Sequence, residues 1–197
     1  MSVIVAVKHG GIVYMGADTQ LTYESGERKN STIESERKIY KFANGLLMGA
    51  VGRADTIMRL VYAKDIFTVP SEGLSKKHIV TEIVPKIFEF LDKRKLLVEP
   101  EEDDDEERCY MRCSFLLAHK DKLFYVSRYF GVWENARFCI AGSGSPYAFA
   151  HFNSFDYNGD INGQLVAAMR NCAKHDNSVS APFMLIDSKN LKYAVRE

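Results

Sequence analysis

The sequence predicts an α+β protein in which antiparallel hairpins stack on one another and are covered by helices. Three observations lead there: β-branched runs joined by tight-turn residues, two separate blocks of helical periodicity, and a return to strands after each block. Val3 to Lys8 and Ile12 to Ala17 read as strands turned at His9-Gly10-Gly11. The polar stretch from Thr19 to Ser35 reads as a loop. Lys38 to Ala43 and Leu46 to Val51 make a second hairpin across Asn44-Gly45. Helical spacing then governs Ala54 to Phe67, until Pro70 and Gly73 break it. Ser75 suits the cap of a second helix reaching Arg94, with Ile79, Ile83, Ile87, Phe88 and Leu91 on one face.

An acidic block from Glu99 to Glu107 follows, expected to be a solvated loop inside the domain, because strands resume directly after it. Cys113 to His119 pairs with Leu123 to Ser127 across Lys120-Asp121-Lys122, and Ala136 to Ala141 is a further strand. Helices are expected over Tyr147 to Phe152 and Gly163 to His175, and a closing hairpin over Phe183 to Asp187 and Leu191 to Val195. The chain therefore reads as one domain, 1–197, with an acidic insertion around 99–107.

Composition removes several function classes. Lys plus Arg number 26 and Asp plus Glu also 26, so no net charge draws the chain to nucleic acid or to an anionic membrane. No apolar run is long enough to span a bilayer, and the opening Met1-Ser2-Val3-Ile4 lacks the basic leader of a signal peptide. Cys109, Cys113, Cys139 and Cys172 form neither a C-x-x-C pair nor a zinc spacing, so reduced thiols in a cytoplasmic protein are expected.

Four local patterns could carry chemistry. Ser2 opens the first strand, and removal of Met1 would give it a free α-amine, a base that titrates near neutral pH on the same residue as a hydroxyl. Asp18 ends the second strand in Gly16-Ala17-Asp18-Thr19-Gln20-Leu21-Thr22, where a carboxylate can hold a cation. Lys38, in Arg37-Lys38-Ile39, is a cation that would keep a nearby amine neutral. Met48-Gly49-Ala50-Val51-Gly52-Arg53-Ala54-Asp55 is a glycine-punctuated strand-to-helix junction whose N–H groups could face an oxyanion. It lacks the Gly-Lys-Ser/Thr ending of a phosphate loop.

In this order, and with Ala141-Gly142-Ser143-Gly144-Ser145-Pro146-Tyr147-Ala148 downstream, the patterns resemble the proteasome β-subunit family of N-terminal-nucleophile hydrolases, and within it the bacterial HslV peptidases. The resemblance implies a four-layer αββα sandwich that assembles into homo-oligomeric, stacked rings, cleaves unfolded polypeptides, uses no metal or organic cofactor and works with an ATP-dependent unfoldase. It implies Ser2 as nucleophile where the family usually has Thr, with Asp18 and Lys38 tuning it. Gly49 is implied as the oxyanion donor, Ser143 as the hydroxyl near the terminal amine and Asp176 as the supporting carboxylate. Ser178 or Ser180 stands for the last hydroxyl, and Lys41 is the neighbouring alternative to Lys38. Two other readings follow from the same residues: a non-catalytic ring subunit that retains Met1, and an N-terminal-nucleophile amidase acting on a small molecule.

Overall fold

A computed structural model describes residues 2–22, 25–32, 36–63, 65–100, 108–154 and 159–197. The chain opens with β1 (Val3–His9) and β2 (Ile12–Asp18), then a short ribbon of β3 (Gln20–Thr22) and β4 (Arg28–Asn30). A second hairpin, β5 (Ile39–Lys41) and β6 (Leu47–Gly52), leads into α1 (Ala54–Val61). A longer helical stretch follows, in which α2 (Lys76–His78) continues through a π-helical turn (Ile79–Ile83) into α3 (Val84–Asp92). Next come β7 (Leu97–Val98), β8 (Tyr110–Met111), β9 (Cys113–His119), β10 (Lys122–Val126), β11 (Val132–Glu134) and β12 (Phe138–Gly142). Helices α4 (Ser145–Asn153) and α5 (Ile161–His175) precede the closing strands β13 (Phe183–Asp187) and β14 (Ala194–Arg196).

Two five-stranded antiparallel sheets form, in the orders β12-β1-β2-β13-β14 and β11-β10-β9-β6-β5. The alternation of side chains along β1 shows how they stack. Ile4 and Ala6 point into a core shared with Ile39, Leu47, Leu116 and Ala118 of the other sheet. Val3, Val5 and Val7 point the opposite way, onto Leu165, Met169 and Cys172 of α5. A strand buried on both faces must be apolar throughout, which explains the unbroken Val-Ile-Val-Ala-Val run. The outer face of the second sheet packs Met48, Phe115 and Phe124 against Ile57 and Leu60 of α1 and Ile79, Ile83, Ile87 and Leu91 of the long helical stretch. The four layers are therefore helices, sheet, sheet, helices.

The expected hairpins and helices are present, with differences that have local causes. The first helix stops at Val61, six residues before Phe67; Asp65 beyond it adopts a left-handed φ of 74°. The polar stretch after Thr19 contains the β3–β4 ribbon, with Leu21 opposite Lys29. Three further short strands, β7, β8 and β11, carry too few residues to display an alternating pattern. Residues 101–107 of the acidic insertion lie outside the described residues. Among the described residues, no helix is long and apolar enough to cross a membrane.

Candidate active site

Antiparallel pairing of β1 with both β2 and β12 brings three chain segments to one point. Ile4 sits opposite both Ala17 and Ala141, so the residues just before Ile4 meet the end of β2 on one side and the turn after β12 on the other. Asp18 is 1% exposed and uses both oxygens. Its Oδ1 accepts the Val3 N–H at 2.9 Å, while Oδ2 accepts Lys38 Nζ at 2.7 Å and the Gln20 N–H at 3.2 Å. Lys38 immediately precedes β5, so this ion pair ties the two sheets together at the edge where Ser2 lies. Burial outweighs the pull of Asp18 and pushes the Lys38 ammonium below its usual range. Burial likewise raises the Asp18 carboxyl, against Lys38 and the two N–H groups. Lys41, the neighbouring alternative, is exposed and donates to Leu191 O at 3.2 Å, well outside this cluster.

On the other side of Ser2 a chain of hydroxyls runs toward α5. The Ser2 N–H donates to Ser143 Oγ at 3.2 Å, and Ser2 O accepts the Gly144 N–H at 3.3 Å. Ser143 Oγ is 3.1 Å from Ser178 Oγ, which donates to Asp176 Oδ1; that oxygen also accepts the Ser178 N–H at 2.9 Å. Burial works to raise Asp176, but the hydroxyls of Ser143 and Ser178 outweigh it and hold its carboxyl below the usual range. Ser180 instead donates to Asn30 Oδ1 on the exposed ribbon, so Ser178 is the hydroxyl at the site. Gly142 makes this close approach possible: it has φ +106°, and a Cβ there would lie 2.1 Å from Ser2 O.

Ser2 and Lys38 open onto a cleft of about 560 Å³, lined further by Gln20, Tyr40, Ala50, Gly52, Ile57 and Met58. Gly49 is not on this cleft. Its Cα faces the inter-sheet core, where a Cβ would meet Ile4 Cγ2 at 2.8 Å and Met15 Sδ at 2.9 Å. Its N–H is also committed. Ala50 donates to Lys38 O and Arg53 to Arg112 O, both at 2.9 Å, so even-numbered residues of β6 turn their N–H groups toward β5 and odd-numbered ones toward β9. By that alternation Gly49 donates to Leu116, its β9 partner, and Gly52 turns its N–H to the β5 side, beyond the first residue of that strand. The family resemblance implies the first glycine of Gly49-Ala50-Val51-Gly52 as the oxyanion donor. The parity of a strand whose end is buried in the same motif separates the two.

No family model and no curated protein matches the sequence; solved structures match the fold. Thiobacillus denitrificans BPH in complex with Epoxomicin gives a TM-score of 0.71 at 20% identity, covering 96% of this chain and 99% of that one. Trypanosoma brucei HslV gives 0.62 at 15% identity, covering 94% and 98%. The Anbu complex of Pseudomonas aeruginosa, described as a helical assembly, gives 0.69 at 12% identity, covering 98% and 86%. The chain therefore has the proteasome β-subunit, N-terminal-nucleophile hydrolase fold, with the two antiparallel sheets and outer helices described above. The likeness does not single out HslV, whose identity to this chain is below that of BPH.

Proposed function

We propose that this chain is a serine-type N-terminal-nucleophile peptidase of a homo-oligomeric, proteasome-like assembly, with Ser2 as its nucleophile. One observation carries the reading. Asp18 grips the first strand through the Val3 N–H and a buried lysine through Nζ, and so holds Lys38 next to Ser2 on a substrate-sized cleft. Loss of Met1 frees the Ser2 α-amine. As Ser2 Oγ bonds to a peptide carbonyl carbon, its proton passes to that amine. Lys38 lowers the affinity of the amine for protons by charge repulsion and keeps it available as base. The oxyanion takes the N–H of Gly52, a donor type worth about 3–4 kcal/mol in other enzymes. The carbon–nitrogen bond then breaks as the leaving amine takes up the proton. Water, activated by the α-amine, hydrolyses the ester. Ser143, Ser178 and Asp176 orient the amine.

The substrates are unfolded polypeptides, and the helical assembly described for the Pseudomonas aeruginosa Anbu complex supports an oligomer of identical subunits. An ATP-dependent unfoldase would feed it. Ser2→Ala is expected to remove peptide hydrolysis while leaving the assembly unchanged by native mass spectrometry. Hydrolysis at the wild-type rate in that variant defeats the assignment. The intact mass of active protein should lack the initiator methionine; full activity with Met1 attached would rule out the amine as base.

A further inference from the structure

We propose that Gln20 is a positioning residue that sets the Ser178–Ser143 hydroxyl chain by holding the peptide between Asn177 and Ser178. The inference rests on the function proposed above and concerns a side chain which that function leaves unused. Gln20 is 5% exposed, and its two donors point to opposite halves of the site. Its backbone N–H donates to Asp18 Oδ2 at 3.2 Å, and its Nε2 donates to Asn177 O at 3.0 Å. Asn177 lies in the tight turn between Asp176 and Ser178, closed by the Val179 N–H on Asp176 O at 3.0 Å.

A peptide unit is planar, so the Asn177 carbonyl and the Ser178 N–H move as one plate. The N–H end of that plate is held by Asp176 Oδ1 at 2.9 Å. The carbonyl end is held by Gln20 and by Arg28 Nη1, the latter at 2.9 Å from an exposed side chain. Rotation of the plate would swing Ser178 Oγ away from Ser143 Oγ, now 3.1 Å distant, and with it the group that meets Ser2 N at 3.2 Å. Gln20 is the buried member of the clamp, and it follows Asp18 by two residues. The junction between β2 and β3 therefore references the hydroxyl chain to the Asp18–Lys38 pair. A displacement of even 1 Å at a reacting group can cost about a hundredfold in rate, so a clamp of this kind matters to turnover.

Gln20→Met keeps the length of the side chain and removes its donor. In the mature protein we expect kcat to fall about tenfold with KM within about twofold, since the positioning acts on the nucleophile and not on substrate binding. In a double-mutant cycle, Gln20→Met on top of Ser178→Ala should add almost nothing, because its effect travels through Ser178. Arg28→Met, on the exposed side of the clamp, should give the same pattern at smaller amplitude and does not disturb the core. Additive effects of Gln20→Met and Ser178→Ala, or an unchanged kcat in Gln20→Met, overturn the inference while leaving the peptidase reading intact. Should the wild-type protein prove inactive, hydrogen exchange still decides the structural claim. The Ser178 amide should exchange faster in Gln20→Met than in wild type, and equal protection overturns it.

Discussion

The two sides of Ser2 are built from different materials. On the strand side, a carboxylate and an ammonium, 1% and 8% exposed, are fixed by β1, β2 and the start of β5. On the helix side, hydroxyls of Ser143 and Ser178 and a half-buried carboxylate sit in turns after β12 and α5. A buried ion pair whose partners each have one arrangement is rigid, and removing either member strands a charge. A chain of hydroxyls can reorient, and water can replace one of its members at modest cost. The strand side is thus suited to setting the protonation state of the proposed nucleophile, and the helix side to aiming it.

The largest effect should come from the strand side. Lys38→Met leaves Asp18 charged and buried, which is expected to cost about 3–5 kcal/mol of stability and to lower kcat by about a thousandfold. Combining Lys38→Met with Asp18→Asn removes the stranded charge, so thermal stability should return toward wild type while activity stays lost. Chemical denaturation and peptide hydrolysis on the three variants check this. Recovery of activity in the double variant would show that the pair serves stability alone.

The two glycines of β6 sharpen the same contrast between holding and reacting. Gly49→Ala places a methyl 2.8 Å from Ile4 Cγ2, so it should destabilise the inter-sheet core by about 1–3 kcal/mol and leave turnover per folded molecule near wild type. Gly52→Ala meets Arg112 O at 2.3 Å and has φ +128°, so the peptide that carries its N–H must move. Turnover should fall about a hundredfold or more, as for loss of one oxyanion donor. The reverse ranking, with Gly49→Ala the inactive variant, would return the donor role to Gly49.

How far the site could be read from the sequence follows the same division. Asp18 and Lys38 stand at strand ends flanked by strong alternating and turn signals, so their elements, though not their ion pair, follow from local pattern. Two packed sheets under helix covers followed from the order of hairpins and helices, whereas the four-layer stacking came with the family resemblance; the unbroken apolar run of Val3 to Val7, buried on both faces, accords with it. Ser143 and Asp176 were reached through family resemblance, because the contact from Ser2 to Ser143 spans 141 residues and no local periodicity encodes it. The choice of Ser178 over Ser180 needed the turn itself, in which one hydroxyl faces Asp176 and the other faces the ribbon. The difference between Gly49 and Gly52 was not legible, because strand parity requires knowing which neighbour each N–H serves. On the helix side, Ser178→Ala should lower kcat by about tenfold with little loss of stability, about 1 kcal/mol. An effect as large as that of Lys38→Met would erase the distinction between the two sides.

The smallest expected effects come from two cysteines, one on each side. Cys113 pairs with Gly52 across β9 and β6, and Cys172 donates its thiol to Gly144 O at 3.2 Å beneath the Ser2 contact. Burial pushes the Cys113 thiol up to about 12 and the Cys172 thiol up to about 11. At pH 8 both are almost wholly protonated, and the thiolate is the reactive form, so iodoacetamide should leave both unmodified in the folded protein and leave activity unchanged. Cys109, which is half-buried, should be alkylated first in peptide mapping. Labelling of Cys113 or Cys172 at pH 8 ahead of Cys109 would mean that the sheet edge carrying Gly52, or the turn beside Ser2, opens in solution.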